Sequence, residues 1–198
     1  MSKKIFHKVG TVALVAAMAV PFAANAESTL ATGSGGLNTS ARVDFQITIP
    51  KFVSLRVGAA GNLSDLISFA PTAAQMEALT PVTGTGGDAT GGAVNAVVRG
   101  NGGAVTLSAA TAGNLLSGAN AINWSQITTA TTSGLLTPPA LANGASVSTA
   151  VAPAANGVVN QSAVWTYTFT NSAVVPAGIY GGVGGAGNGR VTYTATVL

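Results

Sequence analysis

The chain has 198 residues, no cysteine and only 7% charged side chains, against about 25% in an ordinary soluble domain. The absence of cysteine excludes disulfides, thiol catalysis and cysteine metal sites within this chain. The formal net charge of +3 comes from three lysines near the start, Lys3, Lys4 and Lys8. Residues 27–198 carry five basic and five acidic side chains, so they offer no basic patch for nucleic acid.

The first 26 residues have the three zones of a secretory signal peptide. A basic start precedes an apolar run from Val9 to Phe22, and Ala24 and Ala26 form an Ala-x-Ala cleavage site. A membrane anchor would need about 20 apolar residues. Here Gly10, Thr11 and Pro21 leave a shorter apolar stretch, which ends in the cleavage site. The sequence therefore predicts export through the periplasm to the cell surface or medium, with no membrane-spanning segment after signal cleavage.

Residues 27–41 are polar and contain glycine, which predicts a flexible leader. From Arg42 onwards apolar and polar residues alternate strictly. The apolar face consists of Val43, Phe45, Ile47 and Ile49. Strict alternation is typical of a half-buried strand, so we expect a strand over residues 42–49, ended by Pro50. A second short strand is predicted from Phe52 to Val57.

The rest of the chain alternates short strand-like runs with clusters of Gly, Asn and Pro. One surface helical turn is predicted within Pro71–Leu79, and a Thr/Gly loop over residues 80–93. The predicted strands are Val94–Arg99, Val105–Ala109, Ile122–Thr128, Ser146–Val151, Val164–Thr170, one after Pro176–Tyr180, and Val191–Val197. Many short strands with such turn signals predict an all-β sandwich or barrel, with residues 42–198 forming a single domain.

Residues 27–198 have few groups for catalysis. The only histidine of the chain, His7, lies in the predicted signal peptide, so neither an imidazole nor a thiolate follows it. The five acidic residues are widely spaced and give no pattern typical of a calcium loop. Gly182–Gly187 matches G-x-G-x-x-G, but a strand rather than a helix follows it, which favours a hairpin loop. We therefore expect no enzyme activity, no cofactor and no metal.

Four aromatic residues could belong to the core or contact a ligand. Trp165 and Tyr167 alternate at strand period, which favours the core. Trp124 and Tyr180 are candidates for exposed aromatic contacts that stack on sugars, although a core position for Trp124 stays open. These two residues keep a carbohydrate-binding module among the alternatives.

Taken together, several segments resemble a pilin subunit of the chaperone–usher type, in its archaic, spore-coat-U-like branch. They are the signal, the strand Ala41–Ile49, the short strand after it, the segment Leu63–Phe69 and the ending Pro-Ala-Gly-Ile-Tyr…Arg-Val-Thr-Tyr-Thr-Ala-Thr-Val-Leu. The resemblance implies an incomplete immunoglobulin-like β-sandwich, finished by the N-terminal strand of the next subunit. It implies that Val43, Phe45, Ile47 and Ile49 are the donated residues. It also implies a periplasmic chaperone and an outer-membrane usher as partners, besides other copies or related subunits.

The predicted function is that of an extracellular structural or adhesive subunit that self-assembles into a fimbria-like surface fibre by strand donation. The low content of charge leaves little repulsion between copies, which favours association. The alternative is a monomeric secreted binding module, for example for carbohydrate.

Overall fold

The computed structural model describes residues 29–61 and 64–197. The predicted signal peptide lies outside these residues. The chain divides into two compact units, with the boundary between Thr48 and Ile49. Residues 29–48 form no helix or strand. Within them, the Thr29 hydroxyl donates to the Ser40 carbonyl at 2.8 Å, and the Thr39 hydroxyl donates to the Thr29 carbonyl at 2.9 Å.

The unit from Ile49 onwards is all-β, and its described residues form twelve short strands that pair antiparallel. The strands are β1 (Val53–Val57), β2 (Ile67–Ser68), β3 (Val82–Thr83), β4 (Thr85–Gly86), β5 (Ala93–Gly100), β6 (Val105–Thr111), β7 (Leu115–Ser117), β8 (Asn120–Ile122), β9 (Ile127–Thr131), β10 (Thr149–Val151), β11 (Val159–Phe169) and β12 (Val191–Val197). The helical segments of the described residues are α1 (Ala73–Ala78) and a 3-10 turn, Trp124–Gln126, whereas Val183–Asn188 is a kinked series of turns with non-helical backbone angles. The predicted all-β fold class is confirmed.

Two sheets of three or more strands make up most of this unit. In the larger sheet, β5 pairs with β1 on one side and with β11 on the other, while β3 and β9 pair with the far end of β11. In the smaller sheet the order is β10-β6-β12. Two further two-stranded sheets are formed by β2 with β4 and by the hairpin β7-β8. The arrangement is that of a sandwich whose two sheets contribute to one core.

The alternating sequence of β11 explains how the two sheets share that core. Every second residue from Ala163 to Phe169 is buried, as the period of two in a pleated strand requires. Trp165 is completely buried and its ring lies 5.4 Å from that of Tyr193 on β12. Its indole N–H donates to the Leu136 carbonyl at 2.9 Å, so the polar atom is satisfied. The predicted core positions of Trp165 and Tyr167 are confirmed.

The helical turn predicted within Pro71–Leu79 is also present, as α1. Its start is fixed by a capping box, because the Thr72 hydroxyl accepts from the Gln75 N–H and the Gln75 side chain accepts from the Thr72 N–H. It ends at Leu79, whose φ of 50° is left-handed. The helix is exposed, as the sequence predicts.

Three predicted strands differ from the structure. No strand forms over residues 42–49, because a strand needs a neighbouring ladder and none of the described strands pairs with this segment. The run Ile122–Thr128 is broken by the 3-10 helix at Trp124, where the Asn123 side chain caps the turn by accepting from the Ser125 N–H at 2.9 Å. No strand begins directly after Pro176–Tyr180, and the next strand is β12. The predicted loop over residues 80–93 contains the two-residue strands β3 and β4.

Candidate functional site

A cavity of about 330 Å³ opens between β1 and β12, two edge strands that belong to different sheets. We call the depression between these strands the β1/β12 groove. Its cavity is lined by Leu55, Val57, Ser64, Arg190, Val191, Thr192 and Tyr193. The groove lies at the margin of the core, so apolar side chains of β1 and β12 line it together with the polar Ser64, Thr192 and Arg190.

One wall of the groove is β12, which pairs with β6 on one side and with no other described strand. Its outer edge therefore presents backbone N–H and C=O groups that could accept another strand. The inward side chains of β12 are half-buried, whereas those between them are exposed. The inward row is Val191, Tyr193, Ala195 and Val197.

The incomplete cover of this row is clear from a comparison with β6, the neighbouring strand of the same sheet. Three alternating residues of β6, Val105, Leu107 and Ala109, are at most 2% exposed. The row on β12 packs against the same core but stays only half-buried, as do Leu55 and Val57 on β1. The core of the sandwich is therefore less completely covered along the β1/β12 groove than at β6.

The strands that border the groove run antiparallel to each other. Val53, at the start of β1, pairs with Gly100. Gly100 lies close to Val105, since a Cβ atom placed on Gly100 would be 3.6 Å from the Val105 side chain. Val105 in turn pairs with Val197. The start of β1 therefore lies at the Val197 end of β12, while Leu55 and Val57 face the beginning of β12.

A pair of tyrosines joins the two sheets beneath the groove. The hydroxyls of Tyr167 on β11 and Tyr193 on β12 share a hydrogen bond of 2.9 Å. Burial raises the pKa of Tyr193 well above its usual value, and the neighbouring Tyr167 raises it further. Burial also raises the pKa of Tyr167, against the opposing effect of its bond to Tyr193. Both groups are therefore neutral at physiological pH, and this part of the floor carries no charge.

The four residues predicted for strand donation are exposed in this chain. Their exposed fractions are 74% for Val43, 89% for Phe45, 85% for Ile47 and 73% for Ile49. The segment therefore forms no half-buried strand within this chain, and its donation to another copy stays a prediction. Side chains of this size are rarely left exposed four in a row at a spacing of two, because their transfer out of water is favourable.

Of the two aromatic residues considered for ligand contact, Trp124 is not accessible. It is 5% exposed and belongs to the core cluster, so the prediction of an exposed contact is corrected. The 3-10 turn capped by Asn123 directs this ring inward, which strand periodicity could not reveal. Tyr180 is half-buried and its hydroxyl donates to the Pro176 carbonyl at 2.8 Å. The aromatic basis for a carbohydrate-binding module is reduced to Tyr180.

The described residues contain no group of three or more His, Cys, Asp or Glu side chains placed to hold a metal ion. Gly182–Gly187 forms an irregular loop with several left-handed glycines and leads into β12, not into an α-helix. Across residues 29–61 and 64–197, no helix is long and apolar enough to cross a membrane.

The sequence did not identify the residues of the groove as a site. Alternation in Val191–Val197 predicts a strand with one apolar face, and the structure confirms that strand. Whether the face is covered depends on which strands lie beside it, and this is a property of the assembled sheets. Comparisons with protein-family models, with curated proteins and with solved structures gave no match.

Proposed function

We propose that this protein is an extracellular structural subunit that self-assembles into a surface fibre, and that residues 42–49 of one copy fill the β1/β12 groove of the next. The observation that carries the proposal is the presence, in one chain, of a half-buried apolar row on an edge strand and an exposed apolar row of matching length. The donated row is Val43, Phe45, Ile47 and Ile49, and the accepting row is Val191, Tyr193, Ala195 and Val197.

The two rows match because both have four residues at a spacing of two. Strands rise about 3.3 Å per residue, so the two rows extend over the same length when they lie side by side. A strand added to the open edge of β12 would satisfy backbone groups as well as cover the apolar row. The smaller sheet would then gain a fourth strand beside β12.

Burial of the donated side chains supplies much of the free energy that association needs. Burial of one large apolar side chain contributes roughly 1.5–3 kcal/mol, and four such side chains are exposed in the donated segment. The loss of freedom on association costs about 4–15 kcal/mol, so the backbone ladder and the cover of the accepting row are needed as well. Charge opposes assembly little, since residues 27–198 carry five basic and five acidic side chains.

The proposal includes an immunoglobulin-like sandwich that lacks one strand, and export by a chaperone and an usher. An apolar groove and an apolar segment on the same chain would associate wherever subunits meet, so premature assembly in the periplasm has to be prevented. A chaperone that occupies the groove until assembly at the outer membrane fits this requirement, as the resemblance to pilins implies.

The test uses purified residues 27–198 and replaces two donated side chains, Phe45→Asp and Ile47→Asp. The matched control is Gln46→Asp, which places the charge on the opposite face of the same segment. We expect fibres in electron micrographs from the wild type and the control, and folded monomers from the double variant, measured by circular dichroism and light scattering. A wild-type protein that stays monomeric at high concentration after refolding would overturn the proposal.

A further inference from the structure

We propose that the β1/β12 groove selects a second copy over the chain's own segment, because Asn101 clamps the residues that connect residues 42–49 to β1. The inference rests on the proposed function. It goes beyond that function by naming a positioning residue and a register that only another copy can adopt.

The clamp consists of three hydrogen bonds around the start of β1. The Phe52 N–H donates to the Asn101 side-chain oxygen at 2.8 Å, and the Asn101 side-chain amide donates to the Pro50 carbonyl at 2.8 Å. The Asn101 N–H donates to the Phe52 carbonyl at 3.3 Å. Lys51 lies over Gly102, where a Cβ atom would come within 2.2 Å of the lysine side chain. Residues 50–52 are therefore tied to the chain that follows β5.

The clamp restricts what the chain's own segment can do. Phe52 extends the pairing of β1 with β5 by one residue, so residues 50–52 continue the line of β1 past Val53. This end of β1 lies at the Val197 end of β12. To enter its own groove, the segment must reverse before Pro50, and a tight reversal takes two to five residues. A reversal over residues 47–49 removes Ile47 and Ile49 from the donated row.

Orientation separates the two occupants further. A segment that folds back from the clamp has its C-terminal end at the C-terminal end of β12, and so runs parallel to β12. A segment from a second copy has no such restriction and can run antiparallel to β12, the strand whose open edge it joins. It then runs parallel to β1, and its pairing with β12 is the slightly more stable antiparallel kind.

The antiparallel register with full overlap also matches side-chain sizes. It places Ile49 beside Val191, Ile47 beside Tyr193, Phe45 beside Ala195 and Val43 beside Val197. The largest donated side chain then lies beside the smallest accepting residue, which is the pairing that close packing favours. In the parallel register Phe45 lies beside Tyr193, so two large rings compete for space next to the Trp165 ring.

Disulfide mapping tests the register, because the chain contains no cysteine to interfere. Thr48, Thr192 and Thr196 are exposed. Thr48→Cys with Thr192→Cys places the two sulfurs on neighbouring residues in the antiparallel register, whereas Thr48→Cys with Thr196→Cys does so in the parallel one. Paired residues on adjacent strands have Cα atoms about 4.5–5.5 Å apart, within the range of disulfides.

We expect the first pair to give a ladder of linked oligomers on a non-reducing gel, and the second pair to give neither a ladder nor a closed monomer. A ladder or a closed monomer from the second pair would overturn the inference, as would fibres of the first pair that do not link. Absence of fibres from the wild type would instead reject the proposed function, and the inference with it.

The clamp is tested by Asn101→Ala in the Thr48→Cys, Thr196→Cys background. Release of residues 50–52 should let the segment fold back, so a closed, faster-migrating monomer should appear and the yield of fibres should fall. Asn101→Asp keeps the acceptor for the Phe52 N–H and should give a smaller effect. The matched control is Asn160→Ala on the exposed face of β11. If Asn101→Ala gives no closed monomer and leaves the yield of fibres unchanged, Asn101 does not select the occupant.

Discussion

Because of the Tyr167–Tyr193 pair, we expect the folded protein to lose stability at alkaline pH. Burial raises the pKa of Tyr193 well above its usual value, so the folded state holds the phenolic proton more tightly than the unfolded state does. The stabilisation is therefore complete below the unfolded pKa of about 10 and is lost as the pH rises towards the folded pKa.

We expect the free energy of unfolding to decline above about pH 10, and Tyr193→Phe to weaken this decline. Urea unfolding at a series of pH values measures the effect. The matched control is Tyr180→Phe, which removes a hydroxyl from a half-buried residue bonded to the Pro176 carbonyl. If the free energy of unfolding of Tyr193→Phe declines with pH as steeply as that of the wild type, titration of this hydroxyl is not the cause of the decline.

Asn171 is a buried polar residue that ties two distant parts of the chain together. Its side-chain amide donates to the Gln75 carbonyl at 2.8 Å and to the Thr80 carbonyl at 3.1 Å, and its φ is 50°. Replacement by Ala leaves both carbonyls without this donor and places a methyl-bearing residue in a left-handed conformation. We expect a loss of roughly 1–3 kcal/mol in the free energy of unfolding, measured with urea.

Two controls separate the causes at Asn171. Asn171→Gly relieves the left-handed backbone but still lacks the amide, so it should recover only part of the loss. Asn160→Ala, on the exposed face of β11, should change stability by less than about 0.5 kcal/mol. A loss at Asn171 no larger than that at Asn160 would show that the buried hydrogen bonds contribute little.

At the scale of elements, the open groove predicts that a free strand can replace the donated one. A chain of residues 50–198 keeps the β1/β12 groove but lacks residues 42–49. We expect a synthetic peptide spanning Ala41–Pro50 to bind this chain and raise its melting temperature, because it covers the half-buried row on β12.

The control peptide carries Asp in place of Phe45 and Ile47, and should leave the melting temperature unchanged. If the chain of residues 50–198 is unfolded and the added peptide does not restore its fold, strand addition in trans is contradicted. It would mean that residues 42–49 complete the sandwich of their own molecule.

Sequence alternation predicts a strand correctly only where the segment also has a backbone partner. Alternation over Val191–Val197, and from Ala163 to Phe169, predicts strands that the structure contains, because every second residue there meets the core. The same alternation over residues 42–49 gives no strand in this chain. The pattern describes the side chains of a segment, whereas a strand also needs a backbone partner, which the pattern does not name.

At the scale of the whole molecule, we expect the chain to be exported and cleaved. The basic, apolar and small-residue zones of residues 1–26 predict cleavage after Ala26 and a mature protein that begins at Glu27. Intact mass spectrometry of the protein from the medium or the cell surface measures this. Replacement of Ala24 and Ala26 by Asp should retain the precursor, and an extracellular mass that still includes Met1 would contradict the prediction.

The all-β class, the core positions of Trp165 and Tyr167 and the helical turn α1 follow from the sequence alone, because each depends on local periodicity or on residues a few positions apart. The openness of the β1/β12 groove, the burial of Trp124 and the clamp by Asn101 were decided by the tertiary structure. Each depends on which distant segments become neighbours. Among the described strands β12 receives no second partner, Trp124 packs into the core and its backbone N–H donates to the Asn143 side chain, and Asn101 meets Pro50 and Phe52 across the sheet. Contacts of this kind join residues far apart in the chain, and no pattern within one segment specifies them.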